Sequence, residues 1–384
     1  MKTRNMKKLI RVTTSDISLN LLLKGQLRFL NKYYEVVALS ANTGLLRKVA
    51  KREGVRTIEL AMRREISLRR DLACLWHLLK IFKREKPFIV HTNTPKGSLL
   101  SMMAAKLVGV PHRIYTVTGL RYQGSKGAGR WLLKTMERIT CWCATKVIPE
   151  GEGVKRTLID DHITGKPLEV IHYGNINGID TKHYSVETTG ISRADARRRM
   201  KIHDDEFVFV FIGRIVKDKG MDELADAMMR LENEQRKCKL ILVGWFEKEL
   251  SAMSEDHENY FRNSDSVIYV GYRKDVRPYL LAADALVFPS YREGFPHVVL
   301  EAGSMGLPSI VTDINGCNEI IVEGENGRII PPRDKKRLYE MMKQFMEREE
   351  ETQAMASKAR GMIQARYEHH EVMEALLAMY QQLG

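Results

Sequence analysis

FVFVFIGRIVKDKG, residues 207–220, is the stretch whose reading decides the fold. Phe207–Ile212 is a continuous apolar run in which Val208, Val210 and Ile212 are β-branched, as expected of a strand buried on both faces of a parallel sheet. The run ends at Gly213, where the missing Cβ lets a ligand approach the backbone closely. Arg214 and Lys219 follow within one loop, Gly220 closes it, and a helical pattern opens near Met221. Strand, glycine-bearing loop and helix in that order form the repeating unit of doubly wound α/β sheets.

Working outward, the same alternation runs from end to end. Upstream, strands are expected at Lys8–Thr14, Glu35–Ser40, Arg56–Leu60, Phe88–Thr92, Arg113–Val117, Lys146–Pro149 and Leu168–His172. Downstream they fall at Lys239–Val243, Val267–Val270, Ala285–Pro289, Ser309–Thr312 and Gly327–Ile330. Helical periodicity appears at Leu19–Leu30, Ser67–Arg84, Ser98–Leu107, Met221–Asn233, Val276–Ala283, Val298–Met305 and Lys335–Met346. Such alternation predicts parallel sheets with helices on both faces, and no period of solenoid type interrupts it. A chain of 384 residues exceeds what one core usually supports, so two domains are expected. The junction is YGNINGIDTKHY, Tyr173–Tyr184, rich in turn formers. The domains expected are 1–180 and 181–365, with a C-terminal helix in 366–384 packing back on the first. Two Rossmann-like sheets so joined would leave a cleft, with ligands beyond the carboxyl ends of the strands.

The totals exclude several classes. Hydrophobic residues make up 44% and charged residues 29%, as in globular proteins. The longest apolar runs, such as Ala282–Pro289, fall far short of the roughly 20 residues a spanning helix needs. Arg11 and Asp16 interrupt the N-terminal region before an apolar signal core forms, so no secretion signal is expected. Five scattered cysteines, Cys74, Cys141, Cys143, Cys238 and Cys317, offer neither an even disulfide set nor zinc-site spacing, and a reduced cytosolic chain is expected. The net charge of +14 divides into +20 over residues 1–185 and −6 over the remainder. A basic half attracts nucleic acid or anionic lipid headgroups; a solvated Lys/Arg surface is the plain alternative.

Three strand-end loops of the second half carry candidate chemistry. Arg214 and Lys219 both leave the end of one strand, so both can reach one diphosphate, Arg as a bidentate clamp and Lys as a point charge. Taken alone, they are equally two solvated cations. Glu293-Gly294-Phe295-Pro296 follows the strand at Ala285 and opens a helix at Val298. Glu293 then lies in a strand-end loop, and the backbone N–H groups available within Gly294–His297 lie at a helix N-terminus suited to anionic ligands. Glu301, one turn into that helix, can accept hydrogen bonds from two adjacent hydroxyls, as on a ribose; an acidic first turn complementing the helix dipole is the alternative. Gly306-Leu307-Pro308 leads into Ser309–Thr312, and Asn315-Gly316-Cys317-Asn318-Glu319 makes a third phosphate-compatible turn.

Taken together, Gly213-Arg214…Lys219-Gly220, Glu293-Gly294-Phe295-Pro296…Glu301-Ala302, Gly306-x-Pro308 and Asn315-Gly316…Glu319 resemble the donor-site signature of family 4 glycosyltransferases. Asn177-Gly178-Ile179-Asp180 resembles that family's interdomain hinge. The resemblance implies an α/β GT-B fold, two Rossmann-like domains with parallel sheets facing across a cleft, a nucleotide-sugar donor (UDP expected, GDP open) and retention of anomeric configuration. By the same resemblance Arg214, Lys219 and Glu293 are the catalytic residues. Arg214 and Lys219 would neutralise the leaving diphosphate and Glu293 would orient the donor sugar. Donor binding would be completed by Gly213, the backbone of Gly294, Phe295 and Pro296, and Glu301 on the ribose. No Asp-x-Asp pair occurs, so no metal and no cofactor are expected: cations and a helix dipole would do that work.

The first half is the expected acceptor side, through Ser15 and Asp16 after the first strand, Thr94 and Lys96 after the fourth, and Thr118 and Gly119 after the fifth. In many family members a histidine stands near Thr118-Gly119; Thr118 takes its place here, which puts a histidine-dependent step in doubt. His91 reads as a core or cleft-wall histidine. Ser18-Leu19…Leu22-Leu23-Lys24-Gly25-Gln26, His91-Thr92-x-Thr94-Pro95-Lys96, Gly109-Val110-Pro111 and Tyr115-Thr116-Val117-Thr118-Gly119 resemble bacterial enzymes that extend sugars on undecaprenyl diphosphate. That implies a lipid-linked glycan acceptor. Independently, Arg63-Arg64, Arg69-Arg70, Trp76, Leu78-Leu79 and Phe82-Lys83-Arg84, with Lys126, Arg130, Trp131, Leu132-Leu133 and Lys134, mix apolar and basic residues in a way that suits an anionic membrane surface, core packing being the alternative. The expected location is therefore cytoplasmic and peripheral on the inner membrane face. The loop Gly119–Arg130 is expected to be mobile. A UDP-sugar 2-epimerase of the same architecture and a basic nucleic-acid-binding protein are the competing readings. Against the latter stands the lack of a clear stacking platform or recognition helix, so no nucleic acid partner is expected.

Overall fold

The computed structural model describes residues 6–62, 67–247 and 252–384. By internal contacts the chain forms two units, one of residues up to Gly178 together with His370–Gly384, the other of Ile179–His369.

In the first unit β1 (Lys8–Ser15), β2 (Glu35–Ala41), β3 (Arg56–Glu59), β4 (Ile89–Thr92), β5 (His112–Val117) and β6 (Lys146–Pro149) form one parallel sheet in the order β3-β2-β1-β4-β5-β6. The connecting helices are α1 (Asp16–Leu21), α2 (Gln26–Leu30), α3 (Leu46–Glu53), α4 (Leu68–Glu85), α5 (Pro95–Val108), α6 (Gly127–Cys143) and α7 (Glu152–Asp160). Strand alternation sends Ile10 and Val12 into a core with α4, α5 and α6, while Leu9 joins a second core with α1, α2 and the C-terminal helix. Three expectations change here. The helix read as Leu19–Leu30 is two helices, because Gly25 at φ +83° turns the chain between α1 and α2. The strand expected at Leu168–His172 shrinks to one isolated bridge from Leu168 to Val147. The stretch Gly119–Arg130 is not an open loop: Arg121–Gly124 form a 3₁₀ turn and α6 begins at Gly127.

In the second unit β7 (Phe207–Ile212), β8 (Cys238–Val243), β9 (Val267–Gly271), β10 (Ala285–Phe288), β11 (Ser309–Thr312) and β12 (Gly327–Ile330) form a parallel sheet in the order β12-β11-β10-β7-β8-β9. Its helices are α8 (Arg193–Arg199), α9 (Met221–Asn233), α10 (Glu255–Asn263), α11 (Arg277–Ala282), α12 (His297–Ser304), α13 (Cys317–Ile320), α14 (Lys335–Glu347) and α15 (Glu349–Tyr367). The last helix, α16 (His369–Gln381), belongs from His370 onward to the first unit. Met373, Leu376, Leu377 and Tyr380 of α16 are buried there beside Leu9, Leu27 and Phe29.

Each sheet has one place where strand order reverses, between β1 and β4 in the first and between β7 and β10 in the second. Loops leaving the carboxyl ends of such a strand pair diverge to opposite faces, and the crevice between them is where doubly wound sheets bind ligands.

Candidate functional site

The β7 and β10 loops at the second reversal carry most of the predicted donor residues. Gly220 holds φ +71°, and a Cβ there would lie 2.1 Å from the Pro289 carbonyl oxygen, so glycine is what lets the two loops touch. That contact brings Lys219 against Glu293: the ammonium and carboxylate form an ion pair across the reversal. Both side chains are mostly shielded, at 16% and 17% exposure, so the pair is only weakly screened by water. Ser290 donates to the same Glu293 oxygen at 2.8 Å, and the Lys219 ammonium stands 5.3 Å from the centre of the Phe288 ring. The β11 loop closes on this group from a third side. Gly316 at φ +75° would place a Cβ 2.6 Å from the Gly294 carbonyl oxygen and 2.7 Å from Phe295 Cα. The buried Cys317 thiol next to it is pushed well above its usual value, by burial and then by the Glu293 carboxylate, with Lys219 opposing.

The other predicted donor residues have different partners. Arg214 is exposed at the end of β7 and pairs with Glu247 at 2.9 Å. A surface pair of that kind is worth about 0–1 kcal/mol, so a diphosphate can displace Glu247 at little cost. Gly213, half-buried, bonds through its N–H to the Val243 carbonyl. Glu301, on the first turns of α12, accepts from the Tyr184 hydroxyl at 2.8 Å. Burial raises its carboxyl to about 7, against the pull of that hydrogen bond. Phe295 is a core side chain, packed edge-on against Tyr367 at 5.5 Å, and Pro296 is buried as well, so neither presents its side chain to a ligand. No side chain caps the N-terminus of α12. Glu319, by contrast, accepts from the Gly316 N–H at 3.2 Å and closes its own helix turn.

On the first sheet, the β1 and β4 loops meet through hydrogen bonds between threonines. Thr94 Oγ1 accepts from the Thr14 N–H at 2.8 Å and lies 2.9 Å from Thr14 Oγ1, and Thr118 donates to the Asn93 carbonyl at 2.7 Å. Ser15, Thr94, Thr118 and Gly119 therefore line one sheet edge. Asp16 and Lys96 prove to be internal. Asp16 is fully buried and accepts from Thr43 N–H, Thr43 Oγ1 and Leu45 N–H at 2.9, 2.6 and 2.8 Å. Burial opposes its ionisation, yet these bonds outweigh it and hold the carboxyl below its usual range. Lys96 is 7% exposed and paired with Asp71 at 2.6 Å. His91 is a core residue, bonded through Nδ1 to the Tyr380 hydroxyl and through Nε2 to Thr116 Oγ1 at 2.7 Å.

Sequence reasoning missed Tyr184 and Ser290. Tyr184 lies in the junction, 117 residues from its partner Glu301, and no local spacing could join them. Ser290 sits three residues before Glu293 and could have been suspected as a local hydrogen-bond donor.

Comparison with known proteins agrees with this architecture. Residues 192–362 match the family described as Glycosyl transferases group 1, and residues 30–174 match the Glycosyl transferase 4-like domain. The Staphylococcus aureus capsular polysaccharide biosynthesis glycosyltransferase CapM is 30% identical over 94% of this chain and 93% of its own. An Escherichia coli UDP-Gal:alpha-D-GlcNAc-diphosphoundecaprenol alpha-1,3-galactosyltransferase is 29% identical over 71% of this chain and 69% of its own. The fold superposes on Anabaena Alr3699/HepE, solved in complex with UDP-glucose, with a TM-score of 0.81 at 17% identity, covering 98% of this chain and 100% of that one. With two six-stranded parallel sheets, loops that meet at each reversal and a relative of this identity along nearly the whole chain, the chain is a glycosyltransferase enzyme of the GT-B fold and belongs to family 4.

Proposed function

We propose that the second unit binds a UDP-sugar at the β7–β10 reversal and that the enzyme transfers its sugar, with retention, to a lipid-diphosphate-linked glycan bound by the first unit, in surface-polysaccharide assembly at the inner face of the cytoplasmic membrane. The observation carrying this reading is the Lys219–Glu293 pair: a cation and an acid from two loops, held together where an α/β sheet takes its ligand. The diphosphate lies between Lys219 and Arg214, displacing Glu247. As the bond from the sugar C1 to the diphosphate oxygen breaks and the acceptor oxygen bonds to C1, negative charge grows on the leaving group. Lys219 and Arg214 stabilise that charge where it develops. The acceptor hydroxyl's proton departs with the nucleoside diphosphate. Glu293, fixed by Lys219 and Ser290, holds the sugar hydroxyls, and Glu301 grips the ribose. Two relatives support the choice of donor and acceptor, one named for UDP-Gal and a diphosphoundecaprenol acceptor, one seen with UDP-glucose. The relatives are named as glycosyltransferases, which sets the epimerase reading aside.

No metal enters this scheme, so EDTA should leave the rate unchanged, and a loss restored by Mg²⁺ or Mn²⁺ would refute that part. Lys219→Ala and Arg214→Ala should each lower kcat by about 10²–10³, the usual cost of one preorganised charge-stabilising donor, Arg214→Ala with the melting temperature nearly unaltered and Lys219→Ala with a lower one, because it strands the shielded Glu293 carboxylate. Rates within a few-fold of wild type in both would remove the assigned roles.

A further inference from the structure

A small polar hollow lies inside the first unit, beside the loops of its sheet edge. α5 packs between α4 and α6. Leu78 and Phe82 of α4, expected in part at a surface, are buried in the core these helices share, while Arg63 and Arg64 lie outside the described residues. Between the first turn of α5, the 3₁₀ turn Arg121–Gly124 and the middle of α6, that packing leaves a space of about 30 Å³. Holding one water takes about 10–15 Å³, so the space admits two waters or the three heavy atoms of an acetyl group.

Its lining is of two kinds. Pro95, Leu133 and Met136 give it an apolar wall, and Tyr122 and Glu137 give it polar groups with bonding capacity left over. Tyr122 is 1% exposed, and its hydroxyl has no hydrogen-bond partner among the described residues; the Asp161 carboxylate near it is held by Lys134 at 2.6 Å. Glu137 is 7% exposed. One of its oxygens accepts from the Tyr115 hydroxyl at 2.6 Å, and the other bonds to no described residue. Buried donors and acceptors are rarely left unmet in a folded chain, because each has given up water without return. The charges narrow the ligand. Glu137 repels an anion, and Lys96, whose ammonium is held by Asp71 at 2.6 Å, disfavours a cation. A bare hydroxyl would leave the apolar wall unused. An acetamido group has an N–H to give to Glu137, a carbonyl to accept from Tyr122 and a methyl for the wall.

We propose that this hollow takes the acetamido group of the acceptor sugar that carries the lipid diphosphate, which makes that sugar a 2-acetamido-2-deoxyhexose. The placement suits the acceptor. Pro95 directly follows Thr94, and Arg121 stands three residues after Thr118, so the outer lining adjoins both acceptor loops. Arg121 is exposed there and forms no ion pair with any described residue. In such a sugar the carbon bearing the acetamido group is bonded to the carbon bearing the diphosphate. With the acetyl group in the hollow, the diphosphate therefore lies at its rim, where a guanidinium can clamp two oxygens at once. The inference deepens the lipid-linked acceptor reading and rests on it.

The full chain is titrated calorimetrically with two soluble probes: citronellyl diphosphate carrying N-acetylglucosamine, and the same diphosphate carrying glucose, in which a hydroxyl replaces the acetamido group. The acetamido probe should bind at least about tenfold more tightly, the discrimination that one lost apolar group and its unmet polar partners allow. Tyr122→Phe should remove most of that preference without lowering Tm, since the hydroxyl it deletes has no partner in the free protein. Met136→Phe, which fills the hollow, should abolish the preference and leave affinity for the glucose probe close to wild type. Equal affinity of the wild type for the two probes would overturn the proposal. So would a wild-type preference that survives both substitutions, the hollow then holding water alone. UDP-N-acetylglucosamine and UDP-glucose are titrated alongside: if the two substitutions erase a preference between these nucleotides instead, the hollow serves the donor sugar and the proposal fails. A transfer assay separates this inference from the reading beneath it. Equally efficient transfer to both citronellyl probes keeps the lipid-linked acceptor and removes the acetamido site. Preferential binding with no transfer to either probe keeps the site and removes the acceptor reading.

Discussion

Glu301 is the side chain through which the proposed donor site would depend on pH. Burial raises its carboxyl to about 7, and the Tyr184 hydroxyl at 2.8 Å works the other way by donating to the charged form. A ribose diol is gripped best by the ionised carboxylate, so UDP affinity should climb as pH rises through about 7. Tyr184→Phe removes the one hydrogen bond favouring ionisation. The midpoint of the affinity–pH curve, read by isothermal titration, should therefore move upward, while affinity at pH 9 returns nearly to wild type. A uniform loss at every pH would instead mean that Tyr184 only supports packing. The linkage to folding has the opposite sense. A carboxyl whose folded value exceeds its unfolded value of 4.5 stabilises the fold at low pH, and that stabilisation is lost as pH climbs from there to about 7. Glu301→Gln should flatten the slope of unliganded stability over that interval.

Among the elements, α16 returns from the end of the chain to fill a core of the first unit. Leu376, Leu377 and Tyr380 fill the core of the first unit, and Tyr380 also satisfies the buried His91. Leu377→Ala should cost about 2–5 kcal/mol, the range for a large-to-small change in a packed core, measured as a lower urea midpoint at unchanged m. Tyr380→Phe leaves a buried imidazole nitrogen without its partner, at a cost of about 1–3 kcal/mol. His91 itself is held well below its usual value by burial and then by the Arg11 charge. A base that the fold keeps neutral destabilises it once pH drops below the ordinary histidine value of 6.5, because the unfolded chain then binds the extra proton. Unfolding of the first unit should accordingly become easier between pH 6.5 and 5, less steeply in His91→Gln.

On the scale of the whole molecule, the proposed function gives the two units different ligands. Trp76, Trp131 and Trp142 lie in the first unit and Trp245 in the second, so tryptophan fluorescence distinguishes them. In a variant keeping Trp245 alone, UDP at 100 times its Kd should add about 2.7 kcal/mol to the transition that Trp245 reports. GDP at the same concentration should add clearly less. Equal shifts with the two nucleotides would reject UDP as the preferred carrier, and no shift with either would reject the donor site. The charge division, +20 over the first 185 residues against −6 over the rest, leaves the proposed donor site to a few local cations of the second unit, Arg214 and Lys219 among them.

The two sheets were legible because strand and helix periodicities are local. Phe207–Ile212 is a strand with the bounds its pattern predicted, and Glu293 leaves a strand end as its place after Ala285 required. Errors of element arose where one residue overrode a pattern, as Gly25 did by splitting a helix, or where a run such as Leu168–His172 paired with its neighbouring strand at a single residue. Composition and spacing, read alone, determined the α/β class, the two-sheet organisation and which loops hold Arg214, Lys219 and Glu293, since each depends on residues near one another in the chain. Only the tertiary structure decided the pairings: Lys219 with Glu293, Arg214 with Glu247, Tyr184 with Glu301, and the withdrawal of Asp16 and Lys96 into the interior. Those depend on strand order and on close approach at Gly220 and Gly316, which the sequence reveals only once the sheet has brought distant loops within reach.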